Sequence, residues 1–227
     1  MRPLIKRLAA LLLVSTLSGC STISGWFSLD DDEVNQPAEL IKFSETAKVK
    51  RLWSVGVGDG QGEGYYRLTP TLSGGNIVAV SNDGELVVVS AETGKKIFER
   101  ELDYQVSGGV GVGEGMILLG TSEGRVVALS EATGEELWRQ TLRGEVLSAP
   151  QTDGKVVVVQ TYDGRAQGLD AKTGKLLWSY DSNVPVLTIR GTSTPVLRDG
   201  RAYIGFAYGR VIAFDAIEGG IDLVLRV

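Results

Sequence analysis

Residues 163–182 read DGRAQGLDAKTGKLLWSYDS, and the same pattern appears twice upstream, as EGRVVALSEATGEELWRQTL at 123–142 and DGELVVVSAETGKKIFEREL at 83–102. Gly84, Gly124 and Gly164 stand at one fixed interval, and the same interval separates Gly94, Gly134 and Gly174, and the aromatic Phe98, Trp138 and Trp178. A fourth copy opens with YGRVIAFDAIEGG at 208–220. A fixed period of about 40 residues, holding several strand-sized pieces, indicates an array of small sheets rather than one sandwich.

Each unit parses into four strands. In the third copy they are SAPQT, KVVVVQ, RAQGLD and KLLWSYD, separated by Asp153-Gly154, Tyr162-Asp163-Gly164 and Ala171-Lys172-Thr173-Gly174. The glycines supply the positive φ that tight reversals require. Val156–Val159 is apolar on both faces, as a strand covered from both sides must be. A single four-stranded meander cannot bury two faces, so the copies are expected to stack. Trp138 and Trp178, at one register of the outermost strand, are expected to pack between neighbouring sheets. The fold class is therefore all-β, a β-propeller of four-stranded antiparallel blades. About four blades are expected, at 67–102, 106–142, 148–181 and 193–227 within a propeller region 49–227. Upstream, RLWSV matches only the fourth strand of a unit, with Trp53 at the aromatic position, so 50–56 is expected to be an orphan outer strand. In a closed propeller such a strand completes the last blade and removes an exposed edge.

The clock slips in two places. Phe98 to Val110 and Trp138 to Pro150 are equally spaced, whereas the step from Trp178 to Pro195 is longer, placing five extra residues in NVPVLTIRGTSTP (183–195). The step from Trp53 to Pro70 is lengthened by the same amount. In a meander propeller both crossings between blades fall on one face, that of the turns between second and third strands, and long loops on a rigid scaffold commonly carry recognition. Within 184–190, alternation points Leu187 and Ile189 one way and Thr188 the other. Two readings stay open from these residues. The apolar pair tucks into a groove between blades while Arg190 pairs with a nearby carboxylate, or the three form an interface, where arginine beside apolar anchors is enriched.

The chain has 227 residues, 43% hydrophobic and 22% charged, ample for a core. It contains no histidine. Ser-His-Asp, Cys-His and His-metal sites are therefore excluded, while carboxylate chemistry remains open. The start, MRPLIKRLAALLLVSTLSGC, has a basic head and an apolar run at 8–17 too short to span a bilayer, and residues 1–19 read as an export signal. Leu17-Ser18-Gly19-Cys20 resembles the lipobox of bacterial lipoproteins, which makes Cys20, the only cysteine, the expected lipidation site. Ser21 in place of aspartate points to the outer membrane. Losing three of the 23 basic residues with the signal leaves 20 against 28 acidic ones, a side-chain balance of −8. That charge disfavours nucleic acid as a partner, and membrane attachment is expected through lipid instead of a basic patch. Residues 20–48 show no sustained period and read as a lipidated flexible tether. Its run Asp30, Asp31, Asp32, Glu33 is read as solvated linker rather than a cation site, and Trp26 and Phe27 fit either the bilayer interface or a dock on the domain.

The unit A-x-T-G-K-x-x-W, clear at Ala171–Trp178, resembles the repeat of quinoprotein-type β-propellers, which enzymes and non-enzymes share. Together with the lipobox, the tether, the lone outer strand and VLTIRGTSTP, it is similar to the BamB family of outer-membrane β-barrel assembly lipoproteins. The similarity corresponds to about the first half of that family's eight-bladed propeller. It implies a non-catalytic scaffold of the BAM complex on the periplasmic face of the outer membrane. Such a scaffold binds the POTRA domains of BamA, aids assembly of barrel precursors with unfolded outer-membrane proteins as a second partner, and needs no cofactor or metal. By resemblance, an apolar–x–apolar–arginine loop contacts BamA, matching Leu187, Ile189 and Arg190.

The alternative is a periplasmic dehydrogenase using a quinone cofactor on the same repeat. It would require a divalent cation, a catalytic carboxylate and cationic partners converging on the axis. Asp170 and Asp215 occupy equivalent repeat positions, where Ser90 and Ser130 stand earlier, and so read as turn formers. The runs GVGDGQGEG (56–64) and GGVGVGEG (108–115) lack the G-x-G-x-x-G pattern and the P-loop lysine, and their acidic residues would repel phosphate. Turns and small inner-strand residues account for them.

Overall fold

The computed structural model describes residues 39–44, 46–64, 66–185 and 189–226. Residues 1–49 and 50–227 are separate compact units. In the first, the described residues 39–44 and 46–49 form neither helix nor strand. The export signal, Cys20, Trp26, Phe27 and the acidic run at 30–33 lie outside the described residues.

The second unit is all-β. It holds four antiparallel meanders: β1–β4 (Thr71–Ser73, Asn76–Val80, Glu85–Ser90, Lys96–Glu101), β5–β8 (Val106–Gly113, Met116–Thr121, Arg125–Ser130, Glu136–Thr141), β9–β12 (Gln151–Thr152, Val156–Gln160, Arg165–Asp170, Leu176–Asp181) and β13–β16 (Val196–Arg198, Arg201–Phe206, Arg210–Asp215, Ile221–Arg226). These are the four blades that the repeat predicts, with the inner strands β1, β9 and β13 shorter than the rest. Every third-to-fourth pairing carries a register shift at the same place, beside the pairs Val88↔Phe98, Ala128↔Trp138, Gly168↔Trp178 and Ala213↔Leu223.

Stacking buries both faces, as the two-sided apolar strands require. Val78, Leu86 and Val88 pack with Ile117, Leu119, Val127 and Leu129 between the first two blades. Met116, Leu118 and Val126 point the other way, onto Val157, Val159 and Leu169. Val156 and Val158 then face Ile204, Ile212 and Phe214. Alternation along β6 and β10 thus divides each strand between two cores.

The aromatic of each outer strand closes the joint to the following blade. Trp138 Nε1 donates to Ala171 O at 2.8 Å, and Trp178 Nε1 to Ala216 O at 2.9 Å. The rings lie flat on the turn glycines. A methyl group at Gly174 would stand 2.5 Å from Trp138 Cε3, and one at Gly134 would stand 2.8 Å from Phe98 Cε2. Both glycines also have positive φ, so two independent demands fix the T-G step. Trp53 repeats the contact on the first blade, donating to Ala91 O at 3.1 Å and covering Gly94. Residues 50–56, expected as an outer strand, nevertheless join no sheet among the described residues. β3, β7, β11 and β15 each pair with the fourth strand of their own blade.

Candidate partner-binding face

The face is built from the crossings between blades. In the crossing after β8, Leu142 N–H donates to Gly124 O at 2.8 Å, Val146 N–H to Thr121 O at 3.2 Å, and Ser107 Oγ to Val146 O at 2.9 Å. Glu145 O accepts Tyr162 N–H at 2.8 Å, tying this crossing to the β10–β11 turn. Val146 is fully buried, so the Glu145 side chain leaves a rigid base.

The crossing after β12 starts in the same way, with Ser182 N–H donating to Gly164 O at 3.0 Å. It rejoins the scaffold at Ser193, whose N–H donates to the buried Gln160 Oε1 at 3.0 Å. Between these anchors Ile189 is 92% exposed. Leu187 lies outside the described residues.

Arg190 is where the two long crossings meet. Its Nη2 donates to Glu145 Oε1 at 2.7 Å and its Nε to Oε2 at 3.4 Å, a two-pronged fork. Nη1 donates to Gly64 O at 3.0 Å, Nη2 also to Tyr66 Oη at 3.4 Å, and the guanidinium carbon sits 4.8 Å from the Tyr66 ring centre. Hydrogen bonds to Tyr66 and Glu145 raise the guanidinium pKa above its ordinary value, keeping the fork charged. Arg190 thus pairs with a carboxylate, one of the two readings its sequence allows. Beneath it lies a cleft of about 620 Å³, lined among others by Tyr66, Leu147, Gln160, Val184, Ile189 and Phe206. Tyr162 and Gly164 of the β10–β11 turn also line it, so both long crossings and this turn share one face, as spacing predicts.

Glu145, Tyr66 and Gly64 escape the sequence reading. They lie 45, 124 and 126 residues from Arg190, and no periodic signal links them. The only hint is that the two long crossings fall on one face.

The carboxylates of the enzyme reading serve turns. Asp170 Oδ1 accepts Thr173 N–H at 2.8 Å and its hydroxyl at 2.6 Å, and this holds the Asp170 carboxyl below the usual range. Asp215 Oδ1 accepts the N–H groups of Glu218 and Ile217 at 2.8 and 2.9 Å. Ser90 and Ser130 accept the equivalent Thr93 and Thr133 amides at 3.3 Å. The glycine run at 108–115 lies largely in β5, and a side chain at Gly111 would overlap the Pro150 carbonyl oxygen.

A family model described as outer membrane protein assembly factor BamB matches residues 101–222. The chain belongs to the BamB family. It is 56% identical over 214 residues to the BamB of Pseudomonas aeruginosa, covering 94% of this chain and 54% of that protein. It is 47% identical over 209 residues to the BamB of Kangiella koreensis, covering 92% and 52%. The chain thus spans about half the length of these curated relatives. The crystal structure of BamB from Moraxella catarrhalis superposes with a TM-score of 0.65 at 28% identity, over 70% of this chain and 49% of that one. A quinohemoprotein alcohol dehydrogenase from Pseudomonas putida HK5 reaches 0.57 at 17% identity, over 70% and 33%, a likeness of fold alone. The named relatives of the BamB family are assembly factors, which favours assembly over the dehydrogenase alternative.

Proposed function

We propose that this chain acts as a non-catalytic scaffold lipoprotein of the β-barrel assembly machinery. Lipid on Cys20 holds it at the periplasmic face of the outer membrane, and its long-crossing face binds the POTRA domains of BamA, aiding assembly and insertion of outer-membrane proteins. Family membership supports the assembly role. The observation that carries the site is Ile189, an exposed aliphatic side chain on a crossing pinned at Ser182, Arg190 and Ser193. A pinned loop loses little entropy on docking, so an apolar side chain held in water is available to bury against a partner. Leu187 and Ile189 are the proposed apolar anchors, with Arg190 beside them.

Co-purification of BamA from detergent-solubilised membranes tests this reading. Leu187→Asp and Ile189→Asp should each reduce the captured BamA at least about tenfold, the penalty of burying a charge in a hot spot. Their thermal unfolding should match that of the wild type. BamA recovered at wild-type levels by both variants would sink the assignment of the site.

A further inference from the structure

We propose that Arg190 is a positioning residue rather than a partner contact, and that Glu145 and Tyr66 are its working partners. The inference rests on the reading of this face as the BamA-binding surface and deepens it. A guanidinium has five N–H donors in a fixed plane. Four of Arg190's are already directed at Glu145, Gly64 O and Tyr66 Oη. One face of the plane is also stacked on the Tyr66 ring. Little donor capacity is left for another protein, and the side chain is directed inward along the scaffold.

The clamp has a firm side and a carried side. Glu145 stands on a crossing whose backbone is fixed at Thr121, Ser107 and Tyr162. Gly64 and Tyr66 belong to the other long crossing, which is secured where Gly60 O accepts Asn82 N–H at 2.7 Å and where Tyr66 packs, partly buried, against the core between the first two blades. Arg190 ties both to the crossing that bears Ile189. Removing the fork would leave the two long crossings untied from each other and the loop that bears Ile189 less firmly placed. Partner affinity would fall through lost pre-organisation, with no contact to the partner removed.

Trypsin reads the clamp directly in the free full-length chain, because cleavage after Arg190 requires the guanidinium to leave Glu145 and enter the protease. Glu145→Gln and Tyr66→Ala should speed the cut at Arg190–Gly191 about tenfold, while the cut after the exposed Lys172 keeps its rate. An unchanged rate at Arg190 in both variants would overturn the clamp. BamA capture supplies the second arm. Glu145→Gln should weaken capture several-fold, and the exchange Arg190→Glu with Glu145→Arg should restore most of what Arg190→Glu alone loses. Wild-type capture by Glu145→Gln, with no rescue by the exchange, would show that Arg190 touches the partner and overturn the positioning role. If cutting accelerates but neither these variants nor Ile189→Asp alter capture, the clamp stands and the assignment of the face falls.

Discussion

Two crossings leave the same kind of outer strand and enter the same kind of inner strand, yet they are built differently. The one between Trp138 and Pro150 is absorbed into the scaffold. Leu142, Val146 and Leu147 are buried, and its backbone bonds to Thr121, Gly124 and Tyr162. The one between Trp178 and Pro195 starts with the same bond to the glycine of the turn before the third strand, and rejoins the scaffold where Ser193 meets Gln160. Farther along, the Arg190 side chain ties it to Glu145 and Gly64. Five added residues have converted a structural connector into a presented loop. The difference separates the contacts that hold the blades from those that hold a surface in readiness.

The largest effect belongs to what the crossings have in common. Trp138→Ala and Trp178→Ala each remove a ring lying on a turn glycine and an indole hydrogen bond to the next blade. Each should cost about 4 kcal/mol, the usual range for emptying a buried aromatic site, measured by urea unfolding. Losses of similar size would show that the joint between blades is indifferent to the length of the crossing that follows it. A much smaller loss at Trp178 would mean that the long crossing loosens its blade, and the comparison would need redrawing.

A smaller effect should fall where the short crossing enters the next blade. Gly111 in β5 lies against the Pro150 carbonyl, and a methyl group there has no room. Gly111→Ala should destabilise by about 3 kcal/mol, as overpacking of a close backbone approach does. Stability within error of the wild type would show that this approach is not tight.

The tryptophan joint could be read directly from the repeat, whereas the close approach at Gly111 could not, since Thr71 and Gln151 stand at its equivalents. The aromatic recurs in the first three units because their blades make the same joint, and the two-sided valine run declares stacking without further help. Position alone also placed both long crossings on one face. What could not be read is how that face is held. Arg190, Glu145 and Tyr66 come from three different crossings, and none of them recurs at the equivalent position of another unit. Trp53 shows the same limit. Its spacing announces the aromatic position, but not that the ring covers Gly94, which only the folded chain displays.

The smallest effect should fall beside the clamp. Gly191 follows Arg190 directly, its φ lies outside the left-handed range, and a methyl group there meets nothing within 4 Å. Gly191→Ala should therefore leave the unfolding free energy within about 0.5 kcal/mol of the wild type, as open surface positions do. Set against Gly111→Ala in β5, where the short crossing enters, the same chemical change would then differ by several-fold, with packing as the main difference between the two sites. A loss at Gly191 comparable to that at Gly111 would mean that the long crossing is seated on the scaffold after all. The exposure of Ile189 would then no longer mark a surface held out for a partner.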